Sequence, residues 1–154
     1  MTTDPLAALE RVSLTLPSAA GPVAILREVS LAIMPGEAVA LIGPSGSGKS
    51  SLLMVLAGLE QPSAGRVIVA GQDLARLDEN ALAELRRRHI GIVFQSFHLL
   101  PTMTALENVA VPRELAGARD AFAVAAVALQ RVGLAHRSGH YPAQLSGGEQ
   151  QRVA

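Results

Sequence analysis

The chain has no cysteine, so neither a disulfide framework nor a thiolate metal site can form. It also lacks a long hydrophobic run. The longest apolar stretches, near Leu52–Leu59 and Ala121–Leu129, fall well short of the roughly 20 residues that span a bilayer. Residues 1–10 carry Asp4 and Glu10 and no basic cluster, unlike a secretory signal. These features predict a soluble chain whose membrane contact, if any, comes through a partner. Charge of one sign is missing as well. Thirteen basic residues balance thirteen acidic ones, which gives none of the cationic footprint of a nucleic-acid binder. The scarcest charged residue is lysine: every basic side chain but Lys49 is arginine. Lysine is a compact point charge on a flexible stem and arginine a broad planar fork, so a lone lysine points to a tight site.

What is present is enough for a packed domain. The 154 residues are 49% hydrophobic and only 17% charged, which excludes a disordered chain. Val12, Leu14 and Leu16, and then Val29, Leu31 and Ile33, recur with period two and predict half-buried strands joined by a turn at residues 17–22. Pro35-Gly36-Glu37 is a second turn. Ala38–Ile42 is an uninterrupted apolar run, expected as a strand buried on both faces of a parallel sheet. A helix is expected from Lys49 to Leu59, with Gly58 near its end, and strands at Arg66–Val69 and Ile90–Phe94. Asp78 is placed to cap a helix running through Arg88, with acids early and arginines late as the helix dipole prefers. Thr104 with Glu107 and Ser146 with Glu149 have capping-box spacing, and Gly133 should stop a helix over residues 118–132. Alternating strands and helices predict an α/β fold.

Two segments carry chemistry. Gly43-Pro44-Ser45-Gly46-Ser47-Gly48-Lys49-Ser50 matches G-x-x-x-x-G-K-[ST] between an apolar strand pattern and a helix pattern. Glycines there let the backbone wrap so that successive N–H groups face phosphate oxygens, and the helix N-terminus adds its positive end. Lys49 can then reach the β- and γ-phosphates, and the Ser50 hydroxyl can ligate Mg²⁺. The lone lysine finds its explanation in this loop. Downstream, Leu145-Ser146-Gly147-Gly148-Glu149-Gln150 places a capping serine before two glycines at a helix start, a second place where backbone can approach an anion closely.

With this loop followed by LSGGEQ, the sequence resembles the ATP-binding-cassette (ABC) transporter ATPases, whose signature is L-S-G-G-Q/E. The resemblance runs from Leu9 onward. Within the family, GPSGSGKSSLLMVLAGLEQPSAG, VFQSFHLLPTMTALENV and YPAQLSGGEQQRVA look like the subgroup serving lipoprotein release, macrolide export and related envelope exporters. It implies an α/β fold with a P-loop NTPase core, a flanking antiparallel β portion and a helical segment. It implies ATP and Mg²⁺ held by the P-loop backbone with Lys49, Ser50 and Ser51, and Phe94-Gln95 standing where the family's Q-loop falls. Gln95 would reach the metal and γ-phosphate. Leu145, Ser146, Gly147, Gly148, Glu149 and Gln150 would serve a nucleotide held by a second subunit in a head-to-tail dimer. The partners implied are that second ATPase subunit and transmembrane permease subunits, with no nucleic acid, at the inner face of the plasma membrane.

Residues 1–154 match the N-terminal part of such a nucleotide-binding domain. The family's Walker B strand, D-loop and switch histidine fall beyond residue 154, so the fold class is expected to be incomplete at the C-terminus and this stretch alone to lack hydrolytic activity. One departure lies inside the match. Where the family stacks adenine on an aromatic, Leu14-Thr15-Leu16-Pro17 has none, and Tyr141, just ahead of the signature, is not placed to substitute. Asp73, Asp78 and Glu107 read as turn or capping residues rather than catalytic carboxylates. The pair His136 and His140 is interrupted by Ser138-Gly139, which argues against a helical metal site. Two other readings are a nucleotide-binding fragment without catalysis and a soluble P-loop kinase, for which no acceptor-binding lid is visible.

Overall fold

A computed structural model describes residues 4–19 and 21–154; the turn expected at residues 17–22 contains Ala20, which lies outside the described residues. The chain divides into two compact units, residues 1–91 and 92–154.

The first unit is an antiparallel sheet with helices on it. Strands β1 (Ala7–Leu16), β2 (Val23–Ile33), β3 (Ala64–Val69) and β4 (Gln72–Asp73) lie in the order β2-β1-β3-β4. Helix α1 (Lys49–Leu56) and helix α2 (Glu79–His89) complete it. Leu52 and Val55 of α1 and Leu85 of α2 join Leu9, Val12, Leu14, Leu26, Val67 and Val69 in one core. Arg86 Nη1 donates to Gly58 O at 2.8 Å and so ties α2 to the turn that ends α1.

Strand β1 is longer than the period-two pattern suggests because a bulge splits it. Its pairing with β2 shifts between Leu9 and Val12, and Arg11 and Glu28 take left-handed φ values of 48° and 46°. A bulge places Leu9 and Val12, three apart, on the same buried face, which hides the alternation. The displaced amides are satisfied by hydroxyls: Arg11 N donates to Ser30 Oγ and Glu28 N to Ser13 Oγ, both at 3.0 Å. Gly65 of β3 passes against this bulge so closely that a Cβ there would lie 2.4 Å from Arg11 O, on a backbone with φ of 91°. Gly65→Ala is therefore expected to destabilise the protein by about 3 kcal/mol or more, since backbone cannot give way as a side-chain end can. In thermal melts this is a fall of at least ~6 °C; a change within ~2 °C would contradict the close approach.

Two expected strands are not formed. Neither residues 38–42 nor residues 90–94 carry strand pairing, and Val39, Ile42 and Val93 are 44%, 94% and 70% exposed. The expectation of a doubly buried strand at Ala38–Ile42 is thus corrected. A strand exists only through its neighbours' hydrogen bonds, and none of the four paired strands takes either segment as a partner.

The second unit is helical. Helices α3 (Ala105–Leu115), α4 (Ala121–Arg131) and α5 (Gly147–Val153) follow one another, with short 3₁₀ turns at Ala135–Arg137 and Pro142–Gln144 between α4 and α5. Ala110, Ala121 and Ala125 are buried together, the small side chains that let α3 and α4 approach closely. Ala105, Leu129, Leu134, Leu145 and Val153 form a second cluster, which fixes the segment leading into α5. Gly133, at φ of 74°, follows α4 as expected. No helix among the described residues is long and apolar enough to cross a membrane.

Candidate nucleotide site

In the first unit the loop Gly43–Gly48 runs directly into α1, whose N-cap is Gly48 in the left-handed conformation at φ of 88°. Glycine is required there twice over: for that φ, and because a Cβ would meet Ile25 O at 3.0 Å and Leu26 Cδ2 at 3.1 Å. The loop is thereby pressed onto β2 while its other face stays open; residues 43–47 and Ser50 are exposed. Lys49 Nζ folds back over the loop, donating to Gly43 O at 2.9 Å, Pro44 O at 2.7 Å and Ser47 Oγ at 3.5 Å. The ammonium stands over a helix N-terminus, held by three oxygens, and α1 has no acidic residue in its first turn to oppose an anion there. Ser45, Gly46, Ser47, Ser50 and Ser51 all belong to this loop or the first turn of α1.

The donor set suits a nucleotide phosphate with Mg²⁺. Ser50 offers a hard hydroxyl oxygen, and Mg²⁺ typically takes one or two protein oxygens beside waters and substrate phosphates. No group of three His, Asp or Glu side chains able to hold a metal by themselves occurs among the described residues.

Gln95 lies in the second unit and is exposed. Its neighbours are held in a tight turn. Phe97 N donates to Phe94 O at 3.0 Å, His98 N to Ser96 O at 2.7 Å, and the Phe94 and His98 rings meet edge-on with centroids 4.7 Å apart. Phe97 and His98 both take positive φ, 61° and 49°.

The signature segment is also in the second unit. Ser146 caps α5 with a complete capping box: its Oγ accepts from Glu149 N at 3.3 Å, and Glu149 Oε2 accepts from Ser146 N and Oγ, each at 2.8 Å. These bonds, from the Ser146 backbone first and its hydroxyl second, hold the Glu149 carboxyl below the usual range, with Arg137 and Arg152 adding to the effect. Gln150 Nε2 donates to Pro142 O at 2.9 Å and Leu145 O at 3.1 Å, anchoring the preceding turn. Leu145 is buried, whereas Ser146, Gly147 and Gly148 are exposed.

The carboxylates set aside as non-catalytic are accounted for by structure. Asp78 caps α2 through Ala81 N, Glu107 closes the box with Thr104, and Asp73 accepts from Arg66 Nε at 2.7 Å. Asp73 and Glu107 are both held below the usual carboxylate range, the first mainly by Arg66 and the second by the Thr104 amide. His136 lies on a 3₁₀ turn and His140 just past the turn at Ser138-Gly139, and His140 contacts Arg137 instead of sharing a helix face with His136. Sequence reasoning missed Asn108 and Arg137. Asn108 Oδ1 accepts from Leu100 N at 2.7 Å, and its Nδ2 donates to the Leu100, Met103 and Thr104 carbonyls, holding the turn before α3. A lone amide in a helix gives no motif to read.

The sequence profile of the family described as ABC transporter matches residues 26–154. The chain belongs to the ABC transporter family. It is 50% identical over 153 residues to the lipoprotein-releasing system ATP-binding protein LolD 2 of Caulobacter vibrioides, an alignment covering 98% of this chain and 67% of that protein. It is 51% identical over 148 residues to the macrolide export ATP-binding/permease protein MacB of Chromobacterium violaceum, covering 95% of this chain and 23% of the relative. A dimeric structure of the ATP-binding cassette MJ0796, in a post-hydrolysis state bound to ADP and Pi, superposes with a TM-score of 0.89 at 38% identity, over 96% of this chain and 66% of that one. The fold is therefore that of an ATP-binding cassette, α/β with an antiparallel sheet and a helical portion. The chain spans about two thirds of the LolD relative and of the cassette, and about a quarter of the MacB relative.

Proposed function

We propose that this chain is the nucleotide-binding part of an ABC transporter ATPase that couples ATP binding and hydrolysis to transport through separate membrane subunits, in a lipoprotein-release or envelope-export system. The observation that carries it is the cradle formed by Gly43–Ser51, with the one lysine of the chain already seated over an open helix N-terminus. In this reading Gly43, Pro44, Ser45, Gly46, Ser47, Gly48 and Lys49 surround the β- and γ-phosphates. Ser50 would supply an oxygen for Mg²⁺, a role the family resemblance also implies for Gln95, and Ser51 extends the loop into α1. Mg²⁺ would neutralise charge building on the phosphates. Lys49 would exchange the Gly43 and Pro44 carbonyls for phosphate oxygens. Gln95, in its tight turn, would link the nucleotide to a permease subunit.

Ser146, Gly147 and Gly148, flanked by Leu145, Glu149 and Gln150, would face the γ-phosphate of ATP held by a second subunit. Support comes from the exposure of these three residues together with the dimeric state of the cassette MJ0796. Attachment to the inner face of the membrane would run through the permease, as the combined ATP-binding/permease make-up of MacB suggests.

The proposal separates binding from turnover. Hydrolysis requires carboxylates that hold Mg²⁺ from a second side and orient water, and Asp73, Asp78 and Glu107 are committed elsewhere. The 154-residue stretch expressed alone is expected to show no ATP hydrolysis above a Lys49→Ala control. The exposed apolar residues Val39, Ile42 and Val93 should drive its association, so size-exclusion chromatography should give oligomers. The full-length protein is expected to hydrolyse ATP. A monodisperse 154-residue species with clear turnover would overturn this division of labour.

A further inference from the structure

The second unit contains a charged group that the proposed function leaves unused. Arg137 Nε is sealed from solvent and has no hydrogen-bond partner of good geometry among the described residues. It faces Glu149 Oε1 at 3.3 Å. The other oxygen of the same carboxylate accepts from both the amide and the hydroxyl of Ser146. The far end of the guanidinium is occupied too: Nη1 lies 3.1 Å from His140 Nε2. A guanidinium can only donate, so His140 Nε2 is the acceptor in this contact.

We infer that Arg137 is a positioning residue for the signature, acting through Glu149 to hold Ser146 and the start of α5 in the orientation that meets a nucleotide. Three observations support it. The backbone around Arg137 is pinned by hydrogen bonds: Arg137 N donates to Leu134 O, His140 N to Arg137 O, and the Ser138 and His140 carbonyls accept from Leu106 N and Ala105 N at the head of α3. Glu149 is only 17% exposed, and its carboxylate is held between Arg137 on one side and the Ser146 amide and hydroxyl on the other. A buried guanidinium N–H beside a carboxylate, unpaired by angle alone, is costly to leave so, and a small closing of the signature turn would complete a charge-assisted bond. Movement at Ser146 is thereby coupled to the Arg137 contact. Arg137 touches no nucleotide in this account; it sets where Ser146 points.

This rests on the proposed placement of Ser146 against a partner-held nucleotide, and the test separates the two. In the full-length protein, Arg137→Gln is expected to lower kcat about tenfold while KM for MgATP, set by the P-loop, stays within about twofold. Glu149 is faced by Arg137, by Arg152 and by the Ser146 hydroxyl, with His140 behind Arg137. Without the guanidinium its carboxyl protonates at higher pH, so the acid limb of the kcat profile moves up in pH. A merely structural role would not produce that shift. In a Glu149→Gln background the same Arg137 replacement should change kcat less than twofold further, and Arg137→Lys should recover part of the loss. Should Arg137→Gln fail to fold, Arg137→Lys with and without Glu149→Gln completes the same cycle. Wild-type kcat in Arg137→Gln, a KM rise matching the fall in kcat, or an undiminished effect in the Glu149→Gln background overturns the inference. Loss of turnover in Ser146→Arg but not in Arg137→Gln sinks the relay alone; wild-type turnover in Ser146→Arg sinks the reading on which it stands.

Discussion

Replacing Lys49 with alanine is expected to abolish tight MgATP binding, and replacing it with arginine is expected not to restore it. Hydrogen bonds to charged groups contribute about 1.5–3 kcal/mol each. Losing two phosphate-directed bonds therefore weakens affinity by roughly 10²–10⁴-fold. The arginine variant keeps the charge, so it asks whether shape matters. Lys49 Nζ sits between Gly43 O and Pro44 O at 2.9 and 2.7 Å, inside a loop pressed onto β2 by Gly48. A point-like ammonium fits that gap, whereas a planar guanidinium needs its width. Its fork would push the loop outward, away from the curvature that aims backbone amides at phosphate. Calorimetric titration of the full-length protein with MgATP reads this directly, with circular dichroism to confirm that each variant is folded. Wild-type affinity in Lys49→Arg would show that charge alone suffices and that the lone lysine has another cause.

The parts legible in the sequence were those whose physics is local. Capping at Asp78, Thr104 and Ser146 depends on a side chain meeting an amide three residues on, and all three caps form. The P-loop was legible because its glycines, its lysine and its place before a helix are contiguous. What stayed hidden depends on partners distant in sequence. The first half of β1 was masked by the bulge at Arg11, which is stabilised by Ser30 of another strand. The two-residue strand β4 is too short to show a period and exists only by pairing with β3. The opposite error has the same root. Ala38–Ile42 has the composition of a buried strand, but composition cannot supply the neighbour that would make it one, and Ile42 stands open to solvent. Arg137 belongs in this class too: twelve residues from Glu149, with no motif spacing to announce it, it is visible only once the turn folds.

Ser146→Arg is expected to leave nucleotide binding by the P-loop within about threefold of wild type while lowering turnover at least 100-fold, on the scale of losing one donor aimed at developing charge. The expectation follows from where the residue sits. Ser146 lies in the second unit, is exposed, and makes its side-chain bonds to Glu149. Losing the cap itself costs only about 1 kcal/mol of helix stability. Gln150 would still anchor the turn through Pro142 O and Leu145 O, so the fold should survive. What changes is the surface that Gly147 and Gly148 leave bare, where a long cation would fill the space a phosphate must enter. Ser146→Thr separates capping from bulk: it retains the hydroxyl and should keep turnover within severalfold. Binding is measured by calorimetry and turnover by phosphate release, both in the full-length protein. If Ser146→Arg weakens binding and turnover to the same degree, the serine belongs to the local pocket, and a signature serving a neighbouring subunit's nucleotide is the wrong account.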